Sequence, residues 1–140
     1  MAEEVKQEEV AEEVKQEEAP QVYELLKNLP NGPTSEQIEK WKAIHGEVYV
    51  SGFSETELFV WRPLGRLEHV NMQQLIQDPK NEIDKFRLEE MICDTCVLYK
   101  SVQVTWADGK AGTPGTLSEQ IMQNSNFVSP QQANLLVARL

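Results

Sequence analysis

An α+β fold is what this sequence predicts: a mostly helical small domain with a short antiparallel β-hairpin, behind a disordered acidic N-terminal arm. Three observations predict it. Apolar residues recur at i, i+3, i+4 and i+7 in several separate stretches, the spacing of one helix face. Two stretches, Glu47–Val50 and Glu57–Trp61, read as the strands of a hairpin, and the turn signal SGFSET lies between them. Residues 1–18 carry eight Glu and two Lys, or −6 of the formal net charge of −10, so the body is only mildly acidic.

The arm, residues 1–20, contains EEVKQEE twice, at Glu3–Glu9 and Glu12–Glu18. That nine-residue period fits neither a heptad nor an eleven-residue coil. It reads as a solvated charge run or as a lure for a basic partner. Residues 21–33 form a short amphipathic segment and linker. Val22, Leu25, Leu26 and Leu29 make its stripe, and Pro30-Asn31-Gly32-Pro33 ends it. So short a stripe either packs back on the domain or docks in a partner's groove.

Residues 34–140 read as a single α+β domain. Thr34 or Ser35 caps the first helix, with Ile38, Trp41 and Ile44 turned inward and Gly46 at its C-terminal end. In the strand Glu57–Trp61, Leu58 and Val60 alternate with Phe59 and Trp61, so both faces should be covered. Pro63 ends it, and Gly65 caps a helix over Arg66–Gln77 with Leu67, Val70, Met72, Leu75 and Ile76 on its apolar side.

Asp78-Pro79 stops that helix, and the next should run from Lys80 to Tyr99. Its first half sets Ile83 and Phe86 against charged residues. Its second half, Met91 to Tyr99, is nearly continuously apolar, which marks it as the central core helix. Lys100–Trp106 alternates and reads as a third strand joining the hairpin. Thr116 then caps a helix with Leu117 and Ile121 inward, Asn126 ends it in a left-handed conformation, and Phe127 returns to the core. Ser129, Pro130 and Gln132 open the last helix. Its stripe, Ala133, Leu136, Val137 and Leu140, must pack on something.

Chemistry is harder to find. Cys93-Asp94-Thr95-Cys96 has redox spacing, but it lies late in an apolar helix rather than at a helix start, so the thiols read as buried core side chains. Zinc would need two further ligands, and His45 and His69 are widely separated. ADGKAGTPG lacks P-loop order. No catalytic, cofactor or metal site is predicted, and no enzyme. A nucleic-acid partner would need a basic stripe, a membrane span would need some 18 apolar residues in a row, and the opening Met-Ala-Glu-Glu is no signal peptide.

Three pieces in order carry a family resemblance: FVWRPLGRLEH at Phe59–His69, ICDTCVLYK at Ile92–Lys100 and AGTPGTLSEQIMQNSNF at Ala111–Phe127. Together they resemble small tailed-bacteriophage proteins encoded among tail genes, the tail-assembly chaperones and baseplate-hub assembly proteins. In that pattern an aromatic-Arg-Pro-Leu strand end leads into a helix, a later helix closes on a Cys-containing Leu-Tyr, and a Gly-rich turn precedes a Leu-x-x-x-Ile helix ending in Ser-Gly-Phe. Here Gly65 stands in place of a capping hydroxyl, Lys100 in place of Pro, and Asn126 in place of Gly.

The resemblance implies a non-enzymatic assembly chaperone. It would bind another tail protein, the tape measure or a hub protein, in the host cytoplasm during morphogenesis. The alternative it implies is a permanent small subunit of the virion, in tail, baseplate or head. The expected partners are therefore phage tail or virion proteins, with room for self-association. The candidate partner-binding residues are Val22, Leu25, Leu26 and Leu29 in one stripe and Leu136, Val137 and Leu140 in the other.

Overall fold

The computed structural model describes residues 21–140, so the arm lies outside the described residues. The fold is α+β, with six helices and a three-stranded antiparallel sheet among the described residues. Helix α1 covers residues 21–28. It is followed by α2 (Ser35–His45), β1 (Tyr49–Gly52), β2 (Leu58–Trp61), α3 (Arg66–Gln77), α4 (Lys85–Cys96), β3 (Val97–Lys100), α5 (Thr113–Gln123) and α6 (Pro130–Asn134). The strand order is β1-β2-β3, so β2 is central. The chain divides into two compact units, one holding residues up to Val60 with Tyr99–Gln103, the other Trp61–Leu98 with Val104–Leu140.

In the first unit, Thr34 caps α2 by accepting from the Gln37 N–H at 3.2 Å. Gly46 ends α2 at φ 81°, a left-handed position where any side chain would be strained. Gly32 serves differently: a Cβ there would sit 2.8 Å from the Leu26 carbonyl, so the linker closes tightly under α1. The hairpin turn is tied by the Phe53 N–H on the Glu57 carbonyl at 2.9 Å and by Ser54 Oγ, which accepts from the Thr56 and Glu57 N–H groups. Ser101 then binds β2 twice, donating its N–H to the Leu58 carbonyl and accepting from the Leu58 N–H at 2.8 Å. Leu26, Ile38, Leu58, Phe59 and Val60 form the buried core here. Ile44, expected inward, is 73% exposed, while Ile38 is buried and Trp41 half-buried.

In the second unit, α4 packs on α5. Ile92, Cys93 and Cys96 are buried on α4, and Leu117 and Ile121 on α5. Each such aliphatic side chain contributes about 1.5–3 kcal/mol by leaving water. Trp61, Leu64 and Met72 are buried with them. The left-handed position expected at Asn126 is present, at φ 66°. Ser129, Pro130 and Gln132 form the capping box of α6 as read from the sequence.

Several expectations are corrected. The helix over Lys80–Tyr99 is shorter at both ends. Pro79–Asn81 forms a 3-10 turn capped by Asp78, Glu82 is left-handed at φ 47°, and Asp84 restarts the helix by accepting from the Arg87 N–H at 2.8 Å. At the other end Val97–Lys100 leaves the helix to become β3. Val97, Leu98 and Tyr99 are strand-favouring residues, and pairing with the buried β2 decides for the strand. The third strand is thus β3; of the expected Lys100–Trp106 strand only Lys100 is extended in the sheet, residues 101–105 are bend and irregular, and Trp106 opens a 3-10 turn over Trp106–Asp108. α5 begins at Thr113 with Pro114 in its first turn, not at a Thr116 cap, since Pro is preorganised there. Leu67, Phe86 and Phe127 are exposed rather than inward. The last helix stops at Asn134, so Leu136, Val137 and Leu140 have no continuous helix to align them.

Candidate functional site

The second unit holds an open groove of about 390 Å³ between α3 and α4. Glu68, Asn71, Met72 and Leu75 of α3 line it at spacings of one helical turn. From α4 come Arg87, Met91, Asp94 and Thr95. Met72 is buried at its floor and Leu75 is 47% exposed at its wall. Methionine is unbranched and polarizable, so a Met-lined floor adapts to differently shaped apolar side chains.

A clasp around Arg62 fixes the α3 start and the α4 end. The Arg62 guanidinium donates to both Glu68 oxygens, Nη1 at 2.6 Å and Nη2 at 2.7 Å, a bidentate charged pair. Nη2 also donates to the Thr95 carbonyl at 3.0 Å and Nη1 to the Pro63 carbonyl at 3.1 Å. The Arg62 N–H donates to the Cys96 carbonyl. Glu68 in turn accepts from the Gly65 N–H at 3.0 Å, the reciprocal half of a capping box whose other half Gly65, lacking a side chain, cannot make. The hydrogen bonds to Glu68 hold the Arg62 charge more firmly than usual. Arg62 Nε is buried without a hydrogen-bond partner, the cost of aiming the fork at Glu68.

At the far end of the groove the Asp94 carboxylate accepts from the Trp106 indole N–H at 2.7 Å. That donor is neutral, and no cation among the described residues pairs with Asp94. Arg87 donates to Glu90 at 3.4 Å. The arrangement has no nucleophile–base geometry; what it offers is an adaptable apolar floor with charged walls.

The thiols are buried and held in the protonated form. Burial, then the Asp94 charge, pushes the Cys93 thiol up to about 12, and burial pushes Cys96 up to about 11. Cys93 donates to the Pro114 carbonyl at 3.6 Å, and both cysteines are free. His69 stacks edge-on against Phe127, ring centres 4.8 Å apart, while His45 is exposed at the end of α2. Among the described residues no group of three or more His, Cys, Asp or Glu could hold a metal ion, and no helix is long and apolar enough to cross a membrane.

The two stripes read from the sequence are placed very differently. In α1, Leu26 is 3% exposed and Val22 and Leu25 are half-buried, as is Leu29 just beyond the helix. In the terminal segment Leu136 is 93% exposed, and Leu135, Val137 and Leu140 stand in solvent as well. The two stripes belong to different units. Sequence reasoning missed the α3/α4 groove. Met72 and Met91 were visible, but the clasp that ties the start of α3 to the end of α4 joins residues up to 34 apart, which no local spacing encodes. No family model, curated protein or solved structure matches the chain.

Proposed function

We propose that this protein is a non-enzymatic bacteriophage tail or baseplate assembly chaperone, working in the host cytoplasm, that holds an apolar helical segment of another tail protein. The observation that carries the reading is the α3/α4 groove, with its methionine floor and half-exposed Leu75. An amphipathic helix presents apolar anchors one turn apart, and a groove between two helices is where such anchors seat. The resemblance of Phe59–His69, Ile92–Lys100 and Ala111–Phe127 to tail-assembly proteins supports the phage setting. A tape-measure or hub protein is the partner of that description. The acidic arm would keep such a complex soluble through net charge.

The test is co-purification of the tagged protein from infected cells, beside mass spectrometry of purified virions. A chaperone brings down a tail protein and is missing from the virion. Leu75→Asp should abolish that capture while leaving the thermal midpoint in place. Stoichiometric presence in the virion would point instead to a permanent structural subunit. Capture unaffected by Leu75→Asp would remove the groove from the account.

A further inference from the structure

We infer that Met91 is the oxidant-sensitive sulfur of this protein: a hydroperoxide converts it to the sulfoxide while Cys93 and Cys96 stay reduced, and the sulfoxide closes the α3/α4 groove to apolar anchors. The closing of the groove rests on the proposed function; the assignment of the sulfur does not. The chain holds two cysteines and four methionines, and the C-x-x-C spacing points first to the thiols. Both are buried on α4, and the Cys93 thiol donates to the Pro114 carbonyl. A thiol reacts with peroxide as its thiolate, and burial holds both cysteines protonated.

A thioether has no proton to lose and presents its lone pair directly. Met91 presents it where an oxidant reaches: the side chain is half-buried and lines an open groove, whereas Met72 is buried at the floor. The Met91 sulfur attacks one peroxide oxygen, the S–O bond forms as the O–O bond breaks, and sulfur gives up two electrons. Hydrogen peroxide leaves as water. The product is polar where the thioether was apolar. In the empty groove its oxygen meets water, so the fold is little affected. Against an apolar anchor the same oxygen loses that water and gains no donor, which costs affinity. Met122, half-buried on α5, does not line the groove and is the internal control.

The experiment treats the purified full-length chain with hydrogen peroxide in steps, each read by peptide mass mapping and a thermal melt. Met91 should gain one oxygen before Met72 does, with both thiols still free and the midpoint in place. The treated protein is then desalted and offered to infected lysate. Capture of the tail protein should fall by roughly tenfold or more once Met91 is converted, and return when a methionine sulfoxide reductase restores the thioether. Met91→Leu cannot form the sulfoxide, so its capture, whatever the starting level, should be equal before and after peroxide. Met122→Leu should stay as sensitive as the unaltered chain. Thiol oxidation ahead of Met91 overturns the inference, as does Met72 converted before Met91 or a midpoint that falls as Met91 is converted. Capture that survives full conversion of Met91, or that stays peroxide-sensitive in Met91→Leu, overturns it too. If the untreated protein captures nothing, the proposed function fails, and the mapping still decides which sulfur reacts.

Discussion

Two segments of this chain carry the same sequence signal and meet opposite fates. Val22, Leu25, Leu26 and Leu29 have the same spacing as Ala133, Leu136, Val137 and Leu140. Of the first set, Val22, Leu25 and Leu26 lie on α1 and Leu29 just beyond its end, with Leu26 at the core of its unit. The second straddles the end of a five-residue helix and stands in solvent. Spacing says which side chains would align if a helix formed. It does not say whether a surface exists to receive them. A helix as short as α6 has little stability of its own and persists only where something packs on it.

The sharpest way to break this comparison is truncation in each stripe. Leu26→Ala should destabilise the protein by about 2–5 kcal/mol, as cavity-forming core changes do, and Ile92→Ala on α4 should cost a similar amount. Leu136→Ala should stay within about 0.5 kcal/mol, as exposed substitutions do. Denaturant melts of the three variants check this, and equal losses at Leu26 and Leu136 would erase the distinction.

The buried cysteines extend the comparison to pH. In the unfolded chain both thiols ionise near their ordinary value of 9.0, whereas the fold holds them near 12 and 11. Between those values the folded state binds more protons than the unfolded state. Their contribution is therefore fully present below about pH 9 and is lost as pH rises toward 11–12. Melting curves from pH 8 upward should show a fall that is shallower in Cys93→Ala/Cys96→Ala. Thiol reagents at neutral pH should label the native protein only slowly, and rapid labelling would mean that α4 opens.

The helix caps give a smaller effect. Thr34→Ala should cost about 1 kcal/mol, because α2 carries the buried Ile38 and its fraying is felt by the unit. Ser129→Ala removes the same kind of cap from a helix with no buried residue. Its effect should appear as faster amide exchange over residues 130–134, with the global midpoint unmoved. The smallest change is expected from deleting residues 1–19. That stretch holds no aromatic residue and three valines, too little apolar surface to offset its ordering entropy, so calorimetry should find the midpoint nearly unchanged.

The sequence by itself determined the fold class and much of the local punctuation. The Thr34 cap, the glycine ends at Gly46 and Gly65, α3 from Arg66 to Gln77, the left-handed Asn126 and the Ser129 box are all present as read. These features rest on a few neighbouring residues, so local chemistry suffices. The doubly covered strand Leu58–Trp61 was legible for a similar reason: four apolar residues in a row leave no face for water. What only the tertiary structure decided lies where distant residues compete. Val97–Lys100 abandons an apolar helix because β2 offers backbone partners. Arg62 finds Glu68 and the Thr95 carbonyl, and Asp94 finds Trp106, by approaches that no spacing encodes. The candidate groove is a product of those approaches. Burial is a property of two surfaces, and a periodic stripe describes only one of them.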